Sequence, residues 1–330
     1  MKNGLARFEF YLLKLEALFA QAAKEKNPGL WLYSNNARTP LFMLEGLAKL
    51  YAGIHNRKRF EKIKVHFKLL EDTLGAIDYY DSFAKEFAAD PAMAHITEYL
   101  QAQSREKIQR LNDILIESKW IGEKESSVEK IRTRLQGAGW LQPKDEVKGI
   151  MDFYTSSIEV IKVLILATSK GFTQIEAEVH ALRRKLRWLS IYPQALQGAI
   201  QLTDSHIPDE NINNYLVPEI VNSAFNKMPD AGNNTYFLLL EKNYFLALSW
   251  MIAELGKLKD KGLKIIAVTE ALQQLDAIPQ NEAQQKAYTV LGEDSAALQN
   301  ILSEATTICR KYFEAHYLDQ LIHGVAAAQT

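Results

Sequence analysis

The chain has 330 residues, of which 47% are hydrophobic and 24% charged, with a formal net charge of −1 and an isoelectric point near 6.7. That balance excludes an intrinsically disordered chain and a protein-wide positive field able to gather nucleic acid or an anionic membrane, so any anion binding has to be local. A single cysteine, Cys309, excludes an intramolecular disulfide and a cysteine-rich zinc site, and fits a reducing, cytoplasmic setting.

The first residues, Met1 to Phe10, hold Glu9 inside their apolar stretch and lack a small-residue cleavage site, so they are expected to open a helix rather than a secretory signal. Phe8, Tyr11, Leu12, Leu15, Leu18 and Phe19 then recur at helical intervals. Proline and glycine break this periodicity at Asn27-Pro28-Gly29, Asp90-Pro91, Gly137 to Pro143 and Lys170-Gly171. Helices are expected at roughly 4–26, 37–54, 57–88, 91–118, 125–136, 145–169, 173–191, 210–227, 234–275 and 294–322. Pro208, Pro218, Pro229 and the Gly232-Asn233-Asn234 turn signal leave 203–234 open to a second reading, a loop carrying short helices. Alternating β-branched runs closed by Asn-Gly or Asp-Gly turns are absent, which predicts an all-α fold. The longest apolar run, near Val163 to Ala167, is far shorter than the roughly 20 residues a bilayer requires.

The order of elements repeats. The helix from residue 5, a break, and a helix entered through Asn35, Asn36 and Arg38 are echoed by the helix from 145, a break, and the helix of His180 and Arg183. Each half then contains a Leu-Gly step, Leu74-Gly75-Ala76-Ile77 in the first and Leu255-Gly256-Lys257-Leu258 in the second. The expectation is an internal duplication: two related antiparallel helical bundles, 1–140 and 141–330, packed with approximate two-fold symmetry.

Basic residues gather in three stripes. In Glu178-Val179-His180-Ala181-Leu182-Arg183-Arg184-Lys185-Leu186-Arg187-Trp188, His180, Arg183, Arg184 and Arg187 fall on one side of a helix, while Ile175, Leu182, Leu186 and Leu189 fall on the other. Forked guanidinium donors match phosphate oxygens, so this stripe suits a phosphate-rich ligand; the plainer alternative is a solvated face. Lys257, Lys261 and Lys264 form a second stripe, and Arg57-Lys58-Arg59-Phe60-Glu61-Lys62-Ile63-Lys64 opens a third, whose helix turns acidic at Glu71, Asp72, Asp78 and Asp81. Both also read as ordinary charged surface.

Catalytic constellations are scarce. No histidine follows a glutamate by three residues, as di-metal helical bundles require. Asp78-Tyr79-Tyr80-Asp81 resembles half of a metal-diphosphate site without its second carboxylate cluster, and Cys309 sits among apolar residues. A metal-dependent enzyme acting on a diphosphate is the weakest of the readings left open.

The string His180-x-x-Arg183-x-x-x-Arg187, followed by Leu255-Gly256-Lys257-Leu258-Lys259-Asp260, resembles the CHAD family, the conserved histidine α-helical domain. In the first half Arg38 takes the first arginine position, Asn35 stands where histidine would be and Phe42 where the next arginine would be. Leu74, Gly75 and Ile77 fit the second motif, with Asp78 at its basic position and Tyr79 at its aspartate. The resemblance implies two repeated bundles and non-enzymatic binding of inorganic polyphosphate or another phosphate-rich anion. Arg38, His180, Arg183, Arg184 and Arg187 would line the groove, supported by Lys58, Lys62, Lys257 and Lys261, with no cofactor or metal. The alternative is a degenerate scaffold for a protein partner, with Trp188, Tyr192 or Trp250 at its interface.

Overall fold

The computed structural model describes residues 2–122, 126–203 and 210–328. They are mostly helical and divide into two compact units: Met1–Trp140 with Lys264–Glu293, and Leu141–Leu263 with Asp294–Thr330. No helix is long and apolar enough to cross a membrane among the described residues. The segment 264–293, expected in the second bundle, thus packs with the first.

In the first unit α1 (Asn3–Ala22) buries Phe8, Tyr11, Leu12, Leu15 and Phe19, the positions its helical period sets on one face. A short α2 (Pro28–Ser34) starts at the expected break, because Pro28 occupies the first turn, where no intrahelical donor is needed, and the Asn27 side chain accepts from the Leu30 amide at 3.1 Å. Next come α3 (Arg38–Ile54), α4 (Arg57–Phe87), capped by Asn56, α5 (Ala94–Glu117) and α6 (Ser127–Gln136), which opens on a Ser126/Glu129 capping box. The expected start of this last helix at 125 lies outside the described residues. Arg132 of α6 reaches Glu9 and Glu16 of α1, both at 2.9 Å. Trp140 closes the core, its ring 5.1 Å from Tyr51 and 5.6 Å from Phe60. Gly4 lies beneath that indole, where any Cβ would collide with it.

The second unit contains α7 (Pro143–Ala167), a π-helical turn (Ile175–His180) running into α8 (Ala181–Ala195), the four-residue α9 (Pro218–Val221) and α12 (Ala297–Glu314). The 35-residue α10 (Lys242–Asp276) contributes its first part, to Leu263, to this unit and the rest to the first, where α11 (Gln280–Leu291) follows.

Three strands depart from the all-α expectation: β1 (Ile200–Leu202), β2 (Tyr236–Leu240) and β3 (Ile322–Ala327), in the order β1-β2-β3, the first pair parallel and the second antiparallel. The run Tyr236-Phe237-Leu238-Leu239-Leu240 is continuously apolar, so its period cannot separate strand from buried helix, and burial on the sheet decides it. The expected helix 294–322 ends at Glu314: residues 315–320 are turns, and β3 opens only at Ile322. Residues 210–227 form α9 between two 3-10 turns, Glu210–Asn214 and Ala224–Asn226, instead of one helix, as the prolines dictate; Pro208 lies outside the described residues.

Candidate functional site

The strongest basic stripe is built on a close approach of two helices. Gly262 and Gly256 of α10 expose bare backbone: a Cβ at Gly262 would sit 2.7 Å from Cδ1 of Ile175, and one at Gly256 would sit 3.0 Å from Nε of Arg183. Rising residue numbers on one side meet falling numbers on the other, so the π turn and α8 run antiparallel to α10. Arg183 lies across Gly256, and its Nε donates to the Ile252 carbonyl at 3.1 Å. Its Nη groups have no protein acceptor among the described residues. Burial pushes its pKa down, opposed by the charge of Asp260, yet a guanidinium remains charged.

In an antiparallel pair the residues that follow each contact position rotate to the same flank. Arg184, next to Arg183, and Lys257, next to Gly256, therefore rise together. Arg184, Arg187, Lys257 and Lys261 are all exposed. Lys257 is drawn to Glu254 at 2.6 Å. His180 ends the π turn, its Nδ1 2.8 Å from Oε1 of Glu176, and this hydrogen bond holds the Glu176 carboxyl below its ordinary range. Lys259 pairs with Asp260 at 2.5 Å.

The first unit contains the same motion of an arginine over a glycine with a different outcome. Arg38 of α3 lies across Gly75 of α4, where a Cβ would meet its Nη2 at 2.8 Å. Its Nε binds Glu71 at 2.8 Å and its Nη1 binds Asp78 at 3.2 Å. Glu71 stands one turn before Gly75, as Ile252 stands one turn before Gly256. Asp81, beside them, accepts from the Tyr33 hydroxyl at 2.7 Å and pairs with Lys85. Burial first, then Asp81, keeps that hydroxyl protonated far into the alkaline range. Lys58 and Lys62 project from the first turns of α4, exposed and without an ion-pair partner among the described residues.

The nine predicted residues thus belong to separate clusters: His180, Arg183, Arg184, Arg187, Lys257 and Lys261 in the second unit, and Arg38, Lys58 and Lys62 in the first. Within the stripe itself Arg183 turns inward while Arg184 and Arg187 stay outside. Glu176, Glu254 and Gly262 were not anticipated, and Glu71 was read only as part of an acidic run; Glu176 and Glu254 were readable from their spacing of four and three residues to His180 and Lys257. Among the described residues no three His, Cys, Asp or Glu side chains converge as metal ligands would. Compared with known protein families, characterised proteins and solved structures, the chain matches none.

Proposed function

We infer that this chain is a CHAD-like duplicated helical scaffold whose second unit binds a phosphate-rich anion, inorganic polyphosphate foremost. The observation that carries the reading is Arg183: a half-buried guanidinium, fixed through Nε to a helix carbonyl, with its Nη groups left to an outside acceptor. Arg184 and Arg187 on α8 and Lys261 on α10 add exposed positive charge to the same two helices. In the first unit Glu71 and Asp78 occupy the corresponding guanidinium, so that copy serves as scaffold.

Duplication is supported by a shared core phase. Phe10-Tyr11-x3-Leu15-Glu16 in α1 parallels Phe153-Tyr154-x3-Ile158-Glu159 in α7, with Tyr11, Tyr154, Leu15 and Ile158 all buried. Arg38-x-x-Leu41-x-x-Leu44 parallels Arg183-x-x-Leu186-x-x-Leu189, and Leu74-Gly75-x-Ile77 parallels Leu255-Gly256-x-Leu258, again with every leucine and isoleucine buried.

Titration with polyphosphate tests the reading. Affinity is expected to fall with salt with a log-log slope of roughly −2 to −3, for three or four neutralised phosphates on a flexible chain. Arg184→Glu with Arg187→Glu is expected to weaken binding by at least about ten-fold, with the native helical circular dichroism retained. Arg38→Ala should leave affinity unchanged and lower stability, because it strands the buried Glu71. Affinity indifferent to the double substitution, or no uptake at low salt, overturns the proposal. Phe225, 84% exposed on its 3-10 turn near Val221, is the observation that favours a protein partner instead.

A further inference from the structure

The three-stranded sheet ends on β3, and the direction of its backbone groups can be read from the ladder. The Ala328 amide donates to the Thr235 carbonyl at 2.9 Å, and Ala326 pairs with Phe237 and Gly324 with Leu239. Alternate residues of an antiparallel strand face opposite edges, so Gly324, Ala326 and Ala328 address β2, while Val325 and Ala327 turn their N–H and C=O groups away from it. The amide of Leu238, opposite Val325, confirms the phase by donating to Ala199 on the far side, at 2.9 Å. No described residue takes up the outward groups of Val325 or Ala327.

Native edges are commonly guarded by lysine, proline, inward-pointing charge or a bulge. Here only a bulge is present: Leu239 pairs with Gly324 and Leu240 with Ile322, which leaves His323 out of register. Gly324 absorbs the distortion at φ +149°, a conformation open to glycine. Beyond it, Gly324-Val325-Ala326-Ala327-Ala328 contains no charge and no proline, and Val325 is 41% exposed.

We propose that this open edge of β3 pairs with the β3 edge of a second copy of the chain, joining two sheets antiparallel about Ala326. The occupant follows from the register. Val325 and Ala327 flank Ala326 symmetrically, so a two-fold partner brings each copy's Val325 opposite the partner's Ala327, and the outward N–H and C=O groups of both residues bond across the join. The opposed side chains are valine against alanine and alanine against alanine, small enough to meet without a clash. No like charges oppose each other. A strand without charged side chains offers a foreign peptide little beyond its backbone, whereas its own copy fits at once in register and size. The ladder is short, so the dimer is weak and concentration-dependent. This inference is independent of the anion-binding reading.

Light scattering and sedimentation of the full chain over a hundred-fold concentration range provide the test. The expected result is a monomer at the dilute end and a growing dimer population at the concentrated end. Ala327→Pro removes an outward amide and leaves the bonds to β2 intact, and Val325→Lys places a charge at the join. Each should raise the dimer dissociation constant by at least about ten-fold. If the proline variant fails to fold, judged by circular dichroism, the lysine variant decides alone. A chain that stays monomeric throughout, a dimer indifferent to Val325→Lys, or a monomer that instead captures unrelated extended peptides overturns the proposal.

Discussion

At the scale of single residues, His66 shows how position sets protonation. It is half-buried on α4, its ring 6.4 Å from that of Trp120, and burial first, then the positive charge of Arg134, lowers its pKa. The unfolded imidazole takes up its proton near pH 6.5, the folded one only below that. Its contribution to stability is therefore complete above about pH 6.5 and is lost as the pH falls toward the folded value. The urea midpoint is expected to drop between pH 7 and pH 5, and to drop less in His66→Gln; equal slopes would refute this. The candidate site was legible at this scale in part. The stripe of His180, Arg183, Arg184 and Arg187 could be read from one helix, but the inward turn of Arg183 could not. It depends on the bare backbone of Gly256 on another helix, a relation that no periodicity encodes. Glu71 was visible only as part of an acidic reversal along α4, and its capture of Arg38 likewise needs the fold.

At the scale of elements, one carboxylate fastens the C-terminal part of α10 to α4 and α5 within the first unit. The Tyr80 and Tyr99 hydroxyls both donate to Oε1 of Glu270, at 2.9 and 3.0 Å, and Lys264 pairs with Glu86 at 2.6 Å. Glu270→Ala is expected to cost about 2–4 kcal/mol, measured by chemical denaturation, since it removes two hydrogen bonds to a charged acceptor. Burial and Glu270 raise both tyrosines, Tyr99 up to about 12. Raised values stabilise fully below the ordinary tyrosine pKa, and that stabilisation is lost as the pH rises through the folded ones. A spectroscopic titration should accordingly find that, of the late-ionising tyrosines, which also include Tyr33, Tyr154 and Tyr312, two move to lower pH in Glu270→Ala. The long helices were legible because their apolar residues recur every three or four positions over many turns. The strands were not, because β1 and β2 are short and β2 is uniformly apolar. The tail that becomes β3, rich in alanine, favours no period. The polar α11 was missed for the opposite reason, too few apolar residues to show a face.

At the scale of the whole molecule, neither compact unit is a continuous stretch of chain. Residues 264–293 return to the first unit and carry Lys264 and Glu270, the ties just described. A fragment of residues 1–140 therefore lacks part of its own unit. It is expected to unfold at lower denaturant and with a broader transition than the first transition of the full chain; an equally sharp and stable fragment would show that the returning segment contributes nothing. The break near Trp140 was readable from its glycines and prolines, whereas the return was not, because α10 passes from one unit to the other without any interruption in its helical pattern.

The crossing of Arg183 over Gly256 bears on the timing of recognition. An arginine free in solvent samples many rotamers and gives up about 2 kcal/mol of side-chain entropy when it is stilled. Packed on a helix backbone and bonded to the Ile252 carbonyl, this side chain has lost much of that freedom before any ligand arrives. On the anion-binding reading proposed above, a docking anion would meet a guanidinium already at rest, so little of the encounter would be spent on waiting for a favourable pose, and diffusion and charge would set the rate of capture.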